Sequence, residues 1–195
     1  DLCLIDAGCE LDGYASDITR TFPVNGKFSG PQKAIYEIVL AAQEAAIEKT
    51  KPGVDFQAPH DAALRVLTQG LLDLNLIDRS SIGSLDNALE TKAYQRFYMH
   101  RTSHWLGMDV HDVGQYREPS SNTEPKAWRT LTPNMVLTIE PGLYIRKSDD
   151  VDPQYWDIGI RIEDDALVTT GNCELMSRDV PVSINEIEYL MKHSS

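Results

Sequence analysis

The stretch LIDAGCELDGYASDITRTF, residues 4 to 22, constrains the fold more than any other in the chain. Asp12-Gly13 lies between two runs of strand character, and Gly takes the positive φ that a two-residue type I′ turn requires. A hairpin closed there pairs position 6 with 19 and position 8 with 17. Directly paired residues share a face and side chains alternate, so Asp6 and Asp17 project to one side as diagonal neighbours. Two carboxylates that close repel unless a cation lies between them or one keeps its proton. On this stretch alone, ordinary turn or strand-end acids are the competing reading.

More acids and histidines follow. HRTSHWLGMDVHD carries His100, His104 and His111, while Glu140 in LTIEPG and Glu163 in RIEDD are flanked by apolar strand residues. Arg161 and Glu163 are two apart on one run and share a face. Four carboxylates (Asp6, Asp17, Glu140 and Glu163) with one imidazole make a hard, oxygen-dominated donor set. It suits Mn²⁺ or a similar divalent ion and differs from the Cys-rich sets of structural zinc. One ion cannot use all of them; two can, activating a water and clamping a substrate carbonyl. The His100–His104 spacing invites a zincin reading, which needs Glu directly after the first His on a helix. Arg101 stands there, so that signature fails.

Between these motifs, SGPQKAIYEIVLAAQEAAIEKTKPG predicts an amphipathic helix, started by Ser29 and Pro31, stopped at Pro52-Gly53, with Ile35, Ile38, Val39, Ala42 and Ala46 on one side. A second helix is expected from about Phe56 to Leu74, with Pro59 in its first turn and Leu64, Leu67, Leu71 and Leu74 in a stripe. Gly70 is its one weak point. Residues 75–95 fit a loop or a short helix, and 118–130 a polar loop. MVLTIEPGLYI and IGIRIEDDALVTT are strand runs joined by the polar segment 146–157, and residues 185–191 end the chain with a short helix. A strand pair with two acids thus occurs twice, an echo of two similar halves in one α+β domain.

Composition narrows function. The net charge of −12 opposes binding to a phosphate backbone, so nucleic acid is not an expected ligand. No apolar run approaches the roughly 18 residues of a membrane span, and no leader resembling a signal peptide is expected. Cys3, Cys9 and Cys173 form no CxxC pair and leave one thiol over, which favours reduced thiols in the cytoplasm. The opening DLCLID lies within a strand and lacks an initiator Met, so a fragment of a longer protein is expected.

In order along the chain, IDAG, GYASDITRTFPVNGKF, SHWLGMDVHD, VLTIEPGLYI and GIRIEDD resemble the bacterial aminopeptidase P (Xaa-Pro aminopeptidase) family, in the wider group of prolidase and methionine aminopeptidase. The resemblance implies the pita-bread fold, with residues 1–195 as a C-terminal catalytic domain lacking the start of its first half and an upstream N-terminal domain. It implies metal ligands Asp6, Asp17, His104, Glu140 and Glu163 around two ions, with Asp17 and Glu163 shared. It further implies Glu140, His100, His111 and Arg161 as catalytic groups, and a peptide substrate with proline at its second position. The full-length protein is expected to be a homo-oligomer. Prolidase acting on Xaa-Pro dipeptides and a metal-free binding module are the alternatives, separated by dipeptide against longer-peptide cleavage and by metal content.

This chain departs from the family at Arg101, where Gly is common, and at Asn134, where Gly is common and Asn tolerates positive φ. The missing upstream part predicts exposed apolar surface. Other conspicuous residues have bland explanations. His60 and His193 read as solvated. Trp105, Trp128 and Trp156 read as packing or rim residues, and Tyr14 and Tyr144 as core. Asp164 and Asp165 are placed outside the site.

Overall fold

Asp12 and Gly13 adopt φ of 52° and 85° in the computed structural model, which describes residues 1–119 and 122–193. They close β2 (Glu10–Leu11) on β3 (Tyr14–Ala15), and the same register continues into β1 (Leu2–Ala7) and β4 (Ile18–Pro23), with Asp6 opposite Thr19. Between the two ladders the chains approach closely at Gly8, where a Cβ would lie 1.7 Å from the Ser16 carbonyl oxygen. The hairpin tip projects into solvent, so Tyr14 is 64% exposed and not a core residue.

Helix α1 (Gly30–Lys49) starts at Ser29, whose hydroxyl accepts from Gln32 N–H while the Gln32 side chain accepts from Ser29 N–H. Its buried stripe, Ile35, Val39, Ala42 and Ala46, packs on α2 (Ala58–Asp73) and across the central strands. Gly70 lets the two helices meet, because a Cβ there would come within 2.6 Å of the Ile38 side chain. The ambiguous stretch after α2 resolves into short helices α3 (Arg79–Ile82) and α4 (Leu85–Glu90) and a 3₁₀ turn, Ala93–Arg96. The expected loop at 118–130 lies partly outside the described residues; its described part includes an isolated bridge from Trp128 to Arg117.

Each later strand run divides in two. β5 (Val136–Ile139) pairs with β8 (Asp164–Val168), and β6 (Gly142–Ile145) with β7 (Ile158–Arg161), all in one register that sets Glu140 opposite Glu163. Pro141 lacks an N–H for the ladder, and the break falls at the two glutamates. β9 (Cys173–Leu175) adds an edge to β8, and α5 (Ile184–His193) follows. Asn134 takes φ 72° in the turn before β5.

Two seams bring these pieces to one place. Glu163 N–H donates to the Thr19 carbonyl at 3.1 Å, joining the first hairpin to the β7–β8 junction. Residues 102–106 run beside β5, with Thr138 N–H donating to His104 O at 3.0 Å and Glu140 N–H to Thr102 O at 2.8 Å. Beneath the first seam, buried Arg20 donates to the carbonyls of Thr19 and Glu163 and pairs with Asp164 at 2.8 Å. Asp164 therefore lies behind the site, as strand alternation required.

Candidate metal centre

The two seams gather Asp6, Asp17, His104, Glu140 and Glu163 on one cavity of about 610 Å³. Asp17 and Glu163 are buried, as is His104. One ligand atom from each of these three lies within 4.8 Å of the other two. His104 Nδ1 donates to the Trp105 carbonyl at 3.0 Å, which turns Nε2 toward Asp17 (3.3 Å) and Glu140 (3.7 Å). Asp6 is less enclosed than Asp17, His104 and Glu163: its side chain is 48% exposed, because the second half of β1 is open to solvent.

Arg161 organises one flank. It pairs with Asp6, donates from Nε to Thr19 Oγ1 at 3.1 Å, and lies 3.9 Å from Glu163. Thr19 in turn donates to Glu163 at 2.6 Å. On the other flank His100 uses both ring nitrogens, Nδ1 on the Arg101 carbonyl and Nε2 on the Tyr144 hydroxyl, each at 2.8 Å. His111 stacks on His104 with centroids 3.9 Å apart, and among the described residues no partner takes its ring nitrogens.

Three sequence expectations need correction here. Tyr144 is not core: its hydroxyl accepts from Arg161 at 3.3 Å and meets His100. Tyr144 lies four residues from Glu140, so alternation along the run puts it on the same face. Asp165 belongs to the site's support, because its carboxylate accepts the Asp17 N–H at 3.2 Å. It lies two residues from Glu163, so the alternation that removes Asp164 retains Asp165. His60 is half-buried, not solvated, with Nδ1 2.9 Å from Thr102 Oγ1. Burial first, then the Arg101 charge, pushes its pKa down to about 4. Leu74, at the end of α2, packs against the same core as Leu64, Leu67 and Leu71 but is only partly buried. His193 is exposed, as expected.

The electrostatics show too little positive charge for so many acids. Burial and the charge of Glu140 push Glu163 up to about 8. Burial raises Glu140 to about 7, although His104 and Arg161 oppose it. Burial alone would lower His104, but Asp17 and the Trp105 carbonyl raise it to about 9. Asp17 is also pushed up by burial, yet the His104 and Asp6 hydrogen bonds outweigh this and hold it below the usual range. A divalent cation fits this donor set because it would supply the missing charge and displace the held protons.

These shifts have a consequence for stability. Glu140, Glu163 and His104 bind protons more tightly in the folded chain than their ordinary values of 4.5, 4.5 and 6.5. The folded state then holds more protons, so stability falls as pH rises from 4.5 to about 9. Thermal melts in chelator should drop by roughly 5–10 °C from pH 5 to pH 9, with excess divalent ion reversing the trend. A melting temperature that climbs with pH in chelator would contradict this picture.

Residues 1–170 match the model of metallopeptidase family M24. The chain belongs to this family. Within M24 it is 50% identical to the Xaa-Pro aminopeptidase of Haemophilus influenzae over 191 residues, 98% of this chain and 42% of that enzyme. It superposes on the Pseudomonas aeruginosa aminopeptidase PepP with a TM-score of 0.91 at 51% identity, covering 98% of this chain and 41% of that one. Zinc-substituted Escherichia coli aminopeptidase P in complex with product is similar too, with a TM-score of 0.90, 45% identity and coverage of 100% and 42%. The chain thus spans about two fifths of the length of these M24 relatives, with their pita-bread fold. No helix among the described residues is long and apolar enough to cross a membrane.

Proposed function

We propose that residues 1–195 are the catalytic part of a dinuclear metallo-aminopeptidase that releases the N-terminal residue from peptides with proline second. The convergence of Asp6, Asp17, His104, Glu140 and Glu163 on one cavity carries this reading. Similarity to Xaa-Pro aminopeptidases supplies the bond that is cut. These five residues would hold two divalent ions, and a donor set without thiolate favours Mn²⁺. Bound there, the ions acidify a water toward neutral pKa and polarise the scissile carbonyl.

The chain's own groups do the rest. The peptide's free α-amine lies among the acids that line the cavity. Arg161 orients Asp6 and, through Thr19, Glu163. Glu140, on the cavity wall beside His104, takes a proton from the attacking water and delivers it to the proline nitrogen as the C–N bond breaks. His111, stacked on His104 and lining the cavity, offers a ring nitrogen for a hydrogen bond to the developing oxyanion. His100 acts through Tyr144 and Glu140, from whose carboxylate its Nδ1 is 3.7 Å.

The same reading makes the full-length protein a cytoplasmic homo-oligomer. Free Cys3, Cys9 and Cys173 support the compartment. Exposed Leu11 and Tyr14 on the β2–β3 hairpin, with Met108 and Val113 on the segment tied to it by an Ala15 N–H bond to Gly107 O, support association.

Metal-loaded full-length protein should release the first residue of an Xaa-Pro-Ala peptide at least about 100-fold faster than that of Xaa-Ala-Ala, by chromatography of the products. Equal rates on the two peptides, or no cleavage by protein shown to hold metal, would contradict the assignment.

A further inference from the structure

The cavity that holds the carboxylates is also lined by Arg101, Arg117 and Trp128. The guanidinium carbons of Arg101 and Arg117 lie 4.6 and 3.3 Å from the centroid of the Trp128 ring. Two like charges are therefore held against one aromatic ring. Among the described residues their hydrogen-bond partners are neutral: Arg101 donates to the Gln57 side-chain oxygen, and Arg117 to the Lys126 carbonyl at 2.8 Å. Among the described residues neither meets a carboxylate within ion-pair range, whereas Arg20, Arg65, Arg79, Arg96, Arg161 and Arg178 each do. Arg129 and Arg146 likewise lack an ion pair among the described residues, so what distinguishes Arg101 and Arg117 is their shared place against Trp128 on the cavity wall. Burial, with the neighbouring Arg117 charge adding to it, disfavours the charged form of Arg101. An incoming anion would relieve that cost, and planar guanidiniums stacked on an aromatic ring are preorganised for a carboxylate.

We propose that Arg101 and Arg117 form a rim that binds a carboxylate on the leaving side of the peptide, making this chain selective for substrates that carry one there. Such a carboxylate is either the free C-terminus of a short peptide or an acidic side chain just after the proline. The proposal rests on the peptidase reading above and adds a second pole to it. The free amine of the substrate goes to the acids, and its carboxylate to the arginines.

The leaving fragments themselves serve as probes, because they are not turned over. Binding of Pro-Ala, Pro-Ala-amide, Pro-Glu-amide and Pro-Gln-amide to metal-loaded full-length protein would be measured by calorimetry. The acid member of at least one pair should bind about tenfold more tightly than its neutral mate. Preference within the first pair identifies the terminus, and within the second the side chain. In the double variant R101Q/R117Q the ratio should fall to near one, and R101K/R117K should recover part of it while lacking the planar fork. Equal affinities in the wild type, no binding of any probe, or a ratio that survives in R101Q/R117Q would overturn the proposal. Carboxylate preference in binding without cleavage of any Xaa-Pro peptide would instead overturn the peptidase reading and leave the rim standing.

Discussion

Glu163→Gln should make the metal-free protein more stable and at the same time remove its hold on divalent ions. Glu163 is 1% exposed, and burial with the nearby acids pushes it up to about 8. Above that pH its ionised carboxylate has Thr19 and a distant Arg161 as its favourable partners. Gln keeps the shape and an acceptor for the Thr19 hydroxyl while removing the charge, so a gain on the order of 1–2 kcal/mol is expected at pH 9 in chelator. Divalent affinity should fall at least about 100-fold, the upper end of losses seen when only an outer partner is removed. Melts and metal titrations on one sample would check both signs. A site built for structural packing would lose stability with this change, the opposite result.

Gly8→Ala should cost roughly 3 kcal/mol, or about 6–12 °C in melting temperature, at the top of the range for overpacking. The new Cβ would lie 1.7 Å from the Ser16 carbonyl oxygen, and backbone at both positions must part. Because Gly8 stands between Asp6 and Asp17, the same movement separates the two carboxylates and should weaken metal binding as well. Gly13→Ala is the control. Its φ of 85° makes Ala strained by about 1–2 kcal/mol, but nothing lies within 4 Å, so the metal centre should survive. Comparable losses of metal affinity in the two variants would contradict the assigned role of Gly8.

Local chemistry made much of this legible in the sequence. Asp12-Gly13 fixed a register that sets Asp6 opposite Thr19, and Ser29, Pro31 and Pro52 bounded the first helix. The family motifs pointed to the same five residues that the fold gathers on one cavity. What periodicity could not supply is how strand pairs sit beside each other. The exposure of Asp6 depends on which neighbours cover β1, which no pattern along β1 encodes. Pro141 split each later run into two strands, a break that β-branched content concealed. His60 depends on a contact with Thr102, 42 residues away, and helical position alone read it as solvated. Tyr144 and Asp165 differ, since alternation from Glu140 and Glu163 already placed them on the site's face.

The proposed two-ion centre of the gathered acids and His104 stands or falls on its stoichiometry. Calorimetric titration of Mn²⁺ into metal-stripped, demonstrably folded protein tests it most directly. Two ions per chain are expected, with protons released on binding near neutral pH because Glu163 and His104 must give theirs up. A folded protein that takes up no ion, or binds one without releasing protons, would contradict it.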